Sequence, residues 1–263
     1  MALAMILAPF RRGFFCDDDS IMLPNLESIV STSALYWIAL TVPILLILWG
    51  EFAAIRRNKN SKWWYHHYEK HEIVHYFRNV LRKLICFGSG ELYQELITSI
   101  GKITVGRLRP NFIAVCGTDV LKACRNNTHQ YVYNYTCPNG EDAANESRSS
   151  FPSGHAALSF YAAVFTVLYL QKRLKFETLF WKPLIQCCIL LLAWWVSLTR
   201  VMDNHHHMSD VIAGIFIGSG IAIINVIWVH SLFEEEEPLH NLNSNPDSSK
   251  KSSSETESLL QKG

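Results

Sequence analysis

Charge is scarce in this 263-residue chain: Asp, Glu, Lys and Arg make up only 18 % of it, and the net charge is +1. Such a chain has no basic surplus to offer a nucleic acid, and no nucleic-acid partner is expected. An internal repeat is also lacking. The apolar residues, 49 % of the total, do not recur at the period of a helix or strand face, which argues against a soluble amphipathic fold. Metal chemistry is short of material as well. His205, His206 and His207 are consecutive, so their side chains diverge, and no cysteine stands nearby at a familiar zinc spacing. The opening "MALAMILAPF" lacks the charged n-region of a signal peptide and is too short to span a bilayer.

What is there is a set of apolar blocks: Ser33–Glu51, Leu84–Val105, Gly154–Leu170, Pro183–Leu198 and Val211–Phe233. At about 1.5 Å per residue each crosses, or nearly crosses, a hydrocarbon core of roughly 30 Å. The expected fold is all-α, a polytopic membrane helical bundle with five spans. The second block carries Glu91, Gln94 and Glu95, and intramembrane carboxylates belong on a bundle interior. The basic stretches Arg56–Lys83 and Gln171–Lys175 are expected on the cytoplasmic side. Residues between Pro110 and Ser150 then face outward. The Asn-x-Ser/Thr acceptors Asn126, Asn134 and Asn145 all fall there, as do Cys116, Cys124 and Cys137, with Cys16 on the same side. Glycosylation and disulfides are expected, with the pairing open. Three regions follow: an extracytosolic segment over residues 1–32, the membrane domain over 33–233, and a disordered cytoplasmic tail over 234–263.

Three polar clusters meet at the outward side. In "KITVGRLRP", Lys102 and Arg109 stand two helical turns apart. On a helix continuing to Pro110 they would project together, either to hold a phosphate or to snorkel toward headgroups. In "SSFPSGHAALSF", Ser149 or Ser150 reads as a helix cap with Pro152 in the first turn. The free backbone N–H groups near Ser153 and Gly154 make an anion site, with His155 as a titratable donor beside it. In "TRVMDNHHHMSD", Arg200 ends one block and Asp210 begins the next. Were helix to reach back to His206, Asp210 would accept a hydrogen bond from one ring nitrogen and leave the other free to attack. Asp203 and His207 share that spacing, so spacing alone does not choose between the pairs.

The ordered set Lys-x6-Arg-Pro, Pro-Ser-Gly-His and Arg-x5-His-x3-Asp resembles the signature of the type 2 phosphatidic acid phosphatase superfamily. The stretches "RRGFFCDDDSI", "GRLRPNFIAVC" and "HHMSDVIAG" are similar to its lipid phosphate phosphatase branch. The likeness covers roughly residues 11–233. It implies His206 as nucleophile with Asp210 in support, and His155 as general acid. Lys102, Arg109, Ser153, Gly154 and Arg200 become the phosphate-binding residues. It further implies magnesium-independent hydrolysis of phosphatidate, lysophosphatidate, ceramide 1-phosphate or sphingosine 1-phosphate, with no cofactor. The bilayer and its lipid phosphates are the expected partners, and a homo-oligomer is left open. The plasma membrane is the expected location, with Golgi or endosomal pools. Two departures stand out. Thr199 replaces the family's usual Ser, and five spans replace six, placing Met1 outside with the first span short or missing. Two other readings are a scaffold that binds lipid phosphates without turnover, and a phosphatase of soluble esters. The tail stretch "ETESLL" resembles an acidic dileucine sorting signal.

Overall fold

The computed structural model describes residues 8–59, 72–124, 129–173 and 180–228. The apolar opening residues, residues 60–71 of the basic stretch after Arg56, Asn126 and the tail with its Leu259-Leu260 pair lie outside them. Among the described residues are seven α-helices: α1 (Thr32–Lys59), α2 (Glu72–Val105), α3 (Phe112–Cys116), α4 (Glu141–Ser147), α5 (Gly154–Arg173), α6 (Trp181–Met202) and α7 (Met208–Trp228). Two two-residue strands, β1 (Phe14–Phe15) and β2 (Tyr131–Val132), pair antiparallel with Phe14 opposite Val132. The five long helices fall on the five apolar blocks.

Three of them, over Thr32–Arg56, Trp181–Met202 and Met208–Trp228, are long and apolar enough to cross a membrane by length and composition. The other two differ for a reason the packing supplies. Helix α5 is the centre of the bundle, against α1, α2, α6 and α7. A helix surrounded by neighbours needs no lipid-facing stripe and can carry buried Ser159, Tyr161, Thr166 and Tyr169. Their hydroxyls reach backbone carbonyls: Tyr161 to Phe87 at 2.5 Å, Tyr169 to Ile47 at 3.2 Å, Thr166 to Ala162 at 2.6 Å. Helix α2 turns Gln94, Thr98 and Ser99 inward while Leu92, Tyr93 and Ile97 stay exposed. Exposed Trp37, Leu45, Phe216 and Trp228 continue that apolar outer surface on α1 and α7, as expected of a bundle whose solvent is lipid.

Helix α7 comes close to α5 because glycine faces it. A Cβ on Gly214 would stand 2.5 Å from the Ser153 carbonyl oxygen, and one on Gly218 would collide with that of Ala157. Small residues at such a crossing let backbones approach. This contact brings the start of α7 against the start of α5.

The ends of α2, α5, α6 and α7 on this side carry a compact outer layer. Its core gathers Phe14, Phe112, Tyr135, Val132 and Ala144, with Phe14 edge-on to Tyr135 at 5.5 Å between ring centres. The four cysteines pair as Cys16–Cys124 and Cys116–Cys137, a choice the sequence left open. Residues before α1 lie across this layer. The Phe10 amide bonds Ile103 at 2.8 Å, and Leu23 bonds Pro110 at 2.9 Å. Asn134 is exposed here. Asn145, by contrast, is half-buried on α4 and accepts Arg148 Nη1 at 3.2 Å.

Candidate active site

Helix α2 delivers Lys102 in its last turn and stops at Val105. It does not continue to Pro110 as the spacing argument supposed. Gly106 takes φ +58°, where a Cβ would strike the Phe10 carbonyl, and the chain turns away. Arg109 therefore reaches the site from a loop rather than from Lys102's helical face. Its amide donates to Ser147 at 2.8 Å and its Nη1 to Glu146 at 3.0 Å. Its buried Nε has no acceptor among the described residues. Such an orphan donor marks a place where a ligand oxygen fits.

Helix α5 begins at Gly154. Its cap is Ser153, whose Oγ lies 3.5 Å from the Ala156 amide, and Pro152 precedes the helix. Ser149 and Ser150, the expected caps, are used elsewhere: Ser149 Oγ donates to Asn145 at 2.9 Å and Ser150 Oγ to Asp210 at 2.6 Å. A Cβ on Gly154 would stand 3.2 Å from Lys102 Nζ. The lysine ammonium thus sits over the start of α5, so a cation and free backbone N–H groups face the same space.

Arg200, in the last turn of α6, is 2 % exposed. It donates to Asp203 at 2.5 Å, to Ser28 Oγ at 3.3 Å and to His155 Nε2 at 3.3 Å. A guanidinium only donates, so His155 Nε2 accepts here and its proton sits on Nδ1. Asp203 is thereby the partner of Arg200, and it also takes the Ile29 amide at 3.1 Å. It is not the partner of His207, whose Nε2 donates to the Leu108 carbonyl at 3.1 Å.

The turn after α6 corrects the expected His206–Asp210 bond. The amides of His205 and His206 both return to the Arg200 carbonyl at 3.1 Å, and Asn204 takes φ +58°. Helix α7 starts only at Met208, so His206 and Asp210 do not share a helical face. His206 Nδ1 donates instead to the Ser150 backbone carbonyl at 2.6 Å. A carbonyl only accepts, so Nε2 is left with its lone pair. The fully buried Asp210 takes Arg107 Nη1 at 2.5 Å, Ser150 Oγ at 2.6 Å and the His207 amide at 3.1 Å. It holds the peptide that holds the imidazole. Burial, reinforced by the cations of Arg109 and Lys102, keeps His206 well below the usual imidazole range. His205, bonded to the Asp203 carbonyl at 2.9 Å, is lowered by burial and then by Arg109. The three histidines thus serve three different acceptors.

Lys102, Arg109, Gly154, His155, Arg200 and His206 line one cavity of about 770 Å³. Ser153 and Asp210 are buried behind its wall. Asn145 also borders it, a position where a glycan and a ligand would compete. Sequence reasoning missed Ser28, Arg107 and Glu146, and it weighed Asp203 only as a partner of His207, not of Arg200 three residues before it. Arg107 had a signal, being inside the "GRLRP" stretch; Ser28 and Glu146 depend on chain segments brought from far away. Three cations, a helix start and a buried neutral imidazole in one cavity can hold a tetrahedral dianion and attack it.

A family model described as the PAP2 superfamily matches residues 83–234. The chain is 34 % identical over 233 residues to phospholipid phosphatase 1 of Rattus norvegicus, an overlap of 87 % of this chain and 79 % of that one. It is 32 % identical over 243 residues to phospholipid phosphatase 2 of Homo sapiens, covering 91 % of this chain and 81 % of the other. A Drosophila melanogaster relative is 34 % identical over 240 residues; there the match covers 86 % of this chain but 63 % of the relative's length.

Proposed function

The chain belongs to the PAP2 superfamily, and we propose that it is an integral-membrane phosphatase that hydrolyses phosphate monoesters of lipids. The relatives named phospholipid phosphatase support that activity. The observation that carries the mechanism is the 2.6 Å bond from His206 Nδ1 to the Ser150 carbonyl, which leaves Nε2 as a nucleophile facing a cationic cavity.

Lys102, Arg109, Arg200 and the amides at the start of α5 bind the phosphoryl oxygens, the unpaired Arg109 Nε among them. Charge stabilisation by fixed donors is the main catalytic need in phosphoryl transfer. No divalent metal takes part in the scheme. His206 Nε2 attacks phosphorus in line, the bond to the lipid oxygen breaks, and a phosphohistidine forms. The departing oxygen takes a proton from His155. Arg200 donates to His155 Nε2, which opposes protonation there. A bound phosphate draws the guanidinium toward its own oxygens and releases that nitrogen to carry the proton. His155 then removes a proton from water, whose oxygen attacks phosphorus. The P–N bond breaks, returning His206 and inorganic phosphate.

Phosphatidate, lysophosphatidate, ceramide 1-phosphate and sphingosine 1-phosphate are the proposed substrates, and the plasma membrane, with Golgi or endosomal pools, the proposed location. Leu35 and Leu158 give the cavity an apolar wall beside its cations, which suits an ester whose alcohol stays in the bilayer. The test is phosphate release from these lipids in excess chelator. Turnover is expected to persist and to vanish in His206→Ala, with labelled phosphate recovered on that residue in trapped wild type. Undiminished turnover in the variant would sink the scheme.

A further inference from the structure

The same cavity has a second polar end that the mechanism does not use. Glu95, Ser99 and Lys102 occupy positions i, i+4 and i+7 of α2, and all three border the cavity. They form one ladder on one helix face, with Glu95 about 10 Å along the axis from Lys102, toward the bundle middle. Tyr36 of α1 also borders the cavity, and its hydroxyl donates to Glu95 Oε2 at 3.0 Å. The outer end gathers three cations, with Asp142 and Glu146 also bordering it and Glu146 paired to Arg109; two turns deeper, away from those cations, stands a carboxylate held by a phenol.

An ionisable side chain at that depth bordering a cavity marks a functional site by default. It repels the phosphate itself, so it contributes nothing to the anion site. It does complement a ligand that is anionic at one end and carries a cation a few bonds away. We propose that Glu95 and Tyr36 form a specificity subsite for the amino group of the lipid backbone, favouring amine-bearing sphingoid-type phosphates over diacyl ones. An ion-pair contact at each end and the few bonds between phosphate and amine cover the span from Lys102 to Glu95. A diacylglycerol phosphate presents only ester oxygens there, which are acceptors facing an acceptor. The inference rests on the lipid-phosphatase reading above.

The experiment measures kcat/KM of the purified full chain in mixed micelles for sphingosine 1-phosphate and for phosphatidate, with nitrophenyl phosphate as a third substrate. The ratio of the two lipid values is expected to fall about tenfold in Glu95→Gln, as for a lost charge-assisted contact, and about threefold in Tyr36→Phe. A ratio that stays within twofold of wild type in both variants overturns the subsite. Should Glu95→Gln fail to fold, Tyr36→Phe decides by the same ratio. Wild type that cleaves nitrophenyl phosphate but neither lipid would instead refute the lipid reading, and this inference with it. Wild type that cleaves both lipids with a ratio indifferent to the variants removes the subsite alone.

Discussion

Asp210→Asn separates the geometry described here from a direct carboxylate–imidazole pair. Asp210 is 0 % exposed and accepts from Arg107, Ser150 and the His207 amide. Asparagine keeps one acceptor oxygen but points an N–H2 at groups that are themselves donors. At least one of the three is left unmatched. A buried unmatched polar group costs about 1–3 kcal/mol. The Arg107 side chain is 33 % exposed, so water replaces part of its lost partner and that contribution counts for less. The cost is about 1–3 kcal/mol of stability. The catalytic effect arises through Ser150, whose carbonyl fixes His206. A shift of about 1 Å there costs on the order of 10²-fold in rate. The expected variant is folded, has a lowered Tm, and shows kcat down by about 10²-fold or more with KM little changed. Phosphate release, thermal melts and gel filtration read these out. Ser150→Ala cuts the same tie from the other side, so the two substitutions should overlap, with a coupling of about 1 kcal/mol in kcat. A folded Asp210→Asn with kcat within threefold of wild type, or effects that simply add, would refute the relay through Ser150.

Other outcomes follow from the same geometry. Because His206 is held well below 6.5, it stays neutral through mildly acid pH. The acid limb of kcat/KM that belongs to it should lie well under 6.5, and a His206 ring resonance that titrates near 6.5 in NMR spectra of the wild type, identified by its loss in His206→Ala, contradicts this. The unfolded chain then binds more protons than the folded one below about 6.5, so stability falls as pH drops through that region, by up to about 1.4 kcal/mol per pH unit for this group; melts from pH 7.5 to 5 should flatten in His206→Ala. Gly218→Ala should cost about 1–3 kcal/mol because its methyl meets the α5 backbone. Gly220→Ala, whose Cβ meets nothing within 4 Å, should leave Tm unchanged or slightly raised. Breaking Cys16–Cys124, a closure across 108 residues, should lower stability by about 2–4 kcal/mol in non-reducing melts. Cys187→Ser, at an exposed free thiol, should do nothing.

The long helices were legible because lipid-length apolar blocks announce themselves without any partner. That Lys102, Arg109, Gly154, His155, Arg200 and His206 border one cavity agrees with three short motifs of cations, a helix start and imidazoles, which only the resemblance to a family joined into one site. Who bonds whom was not legible. The His206 acceptor is a carbonyl 56 residues away, and no periodicity encodes that. The supposed helical run from Lys102 to Arg109 failed at Gly106, whose φ +58° answers the close passage of Phe10 rather than anything local. Ser28 reaches Arg200 across 172 residues, so only the folded outer layer reveals it. Burial on every side of α5 explains why its apolar block is interrupted by tyrosines and hydroxyls that a lipid-facing helix would not carry.

The anchor of the His206 ring is a main-chain oxygen, and no codon change deletes a main-chain oxygen. The tautomer is thus protected from loss by simple replacement of its acceptor. Fragility moves to the side chains of Asp210, Arg107 and Ser150, which keep that peptide in register. Inactivating variants of this site should therefore accumulate at residues that never touch the substrate.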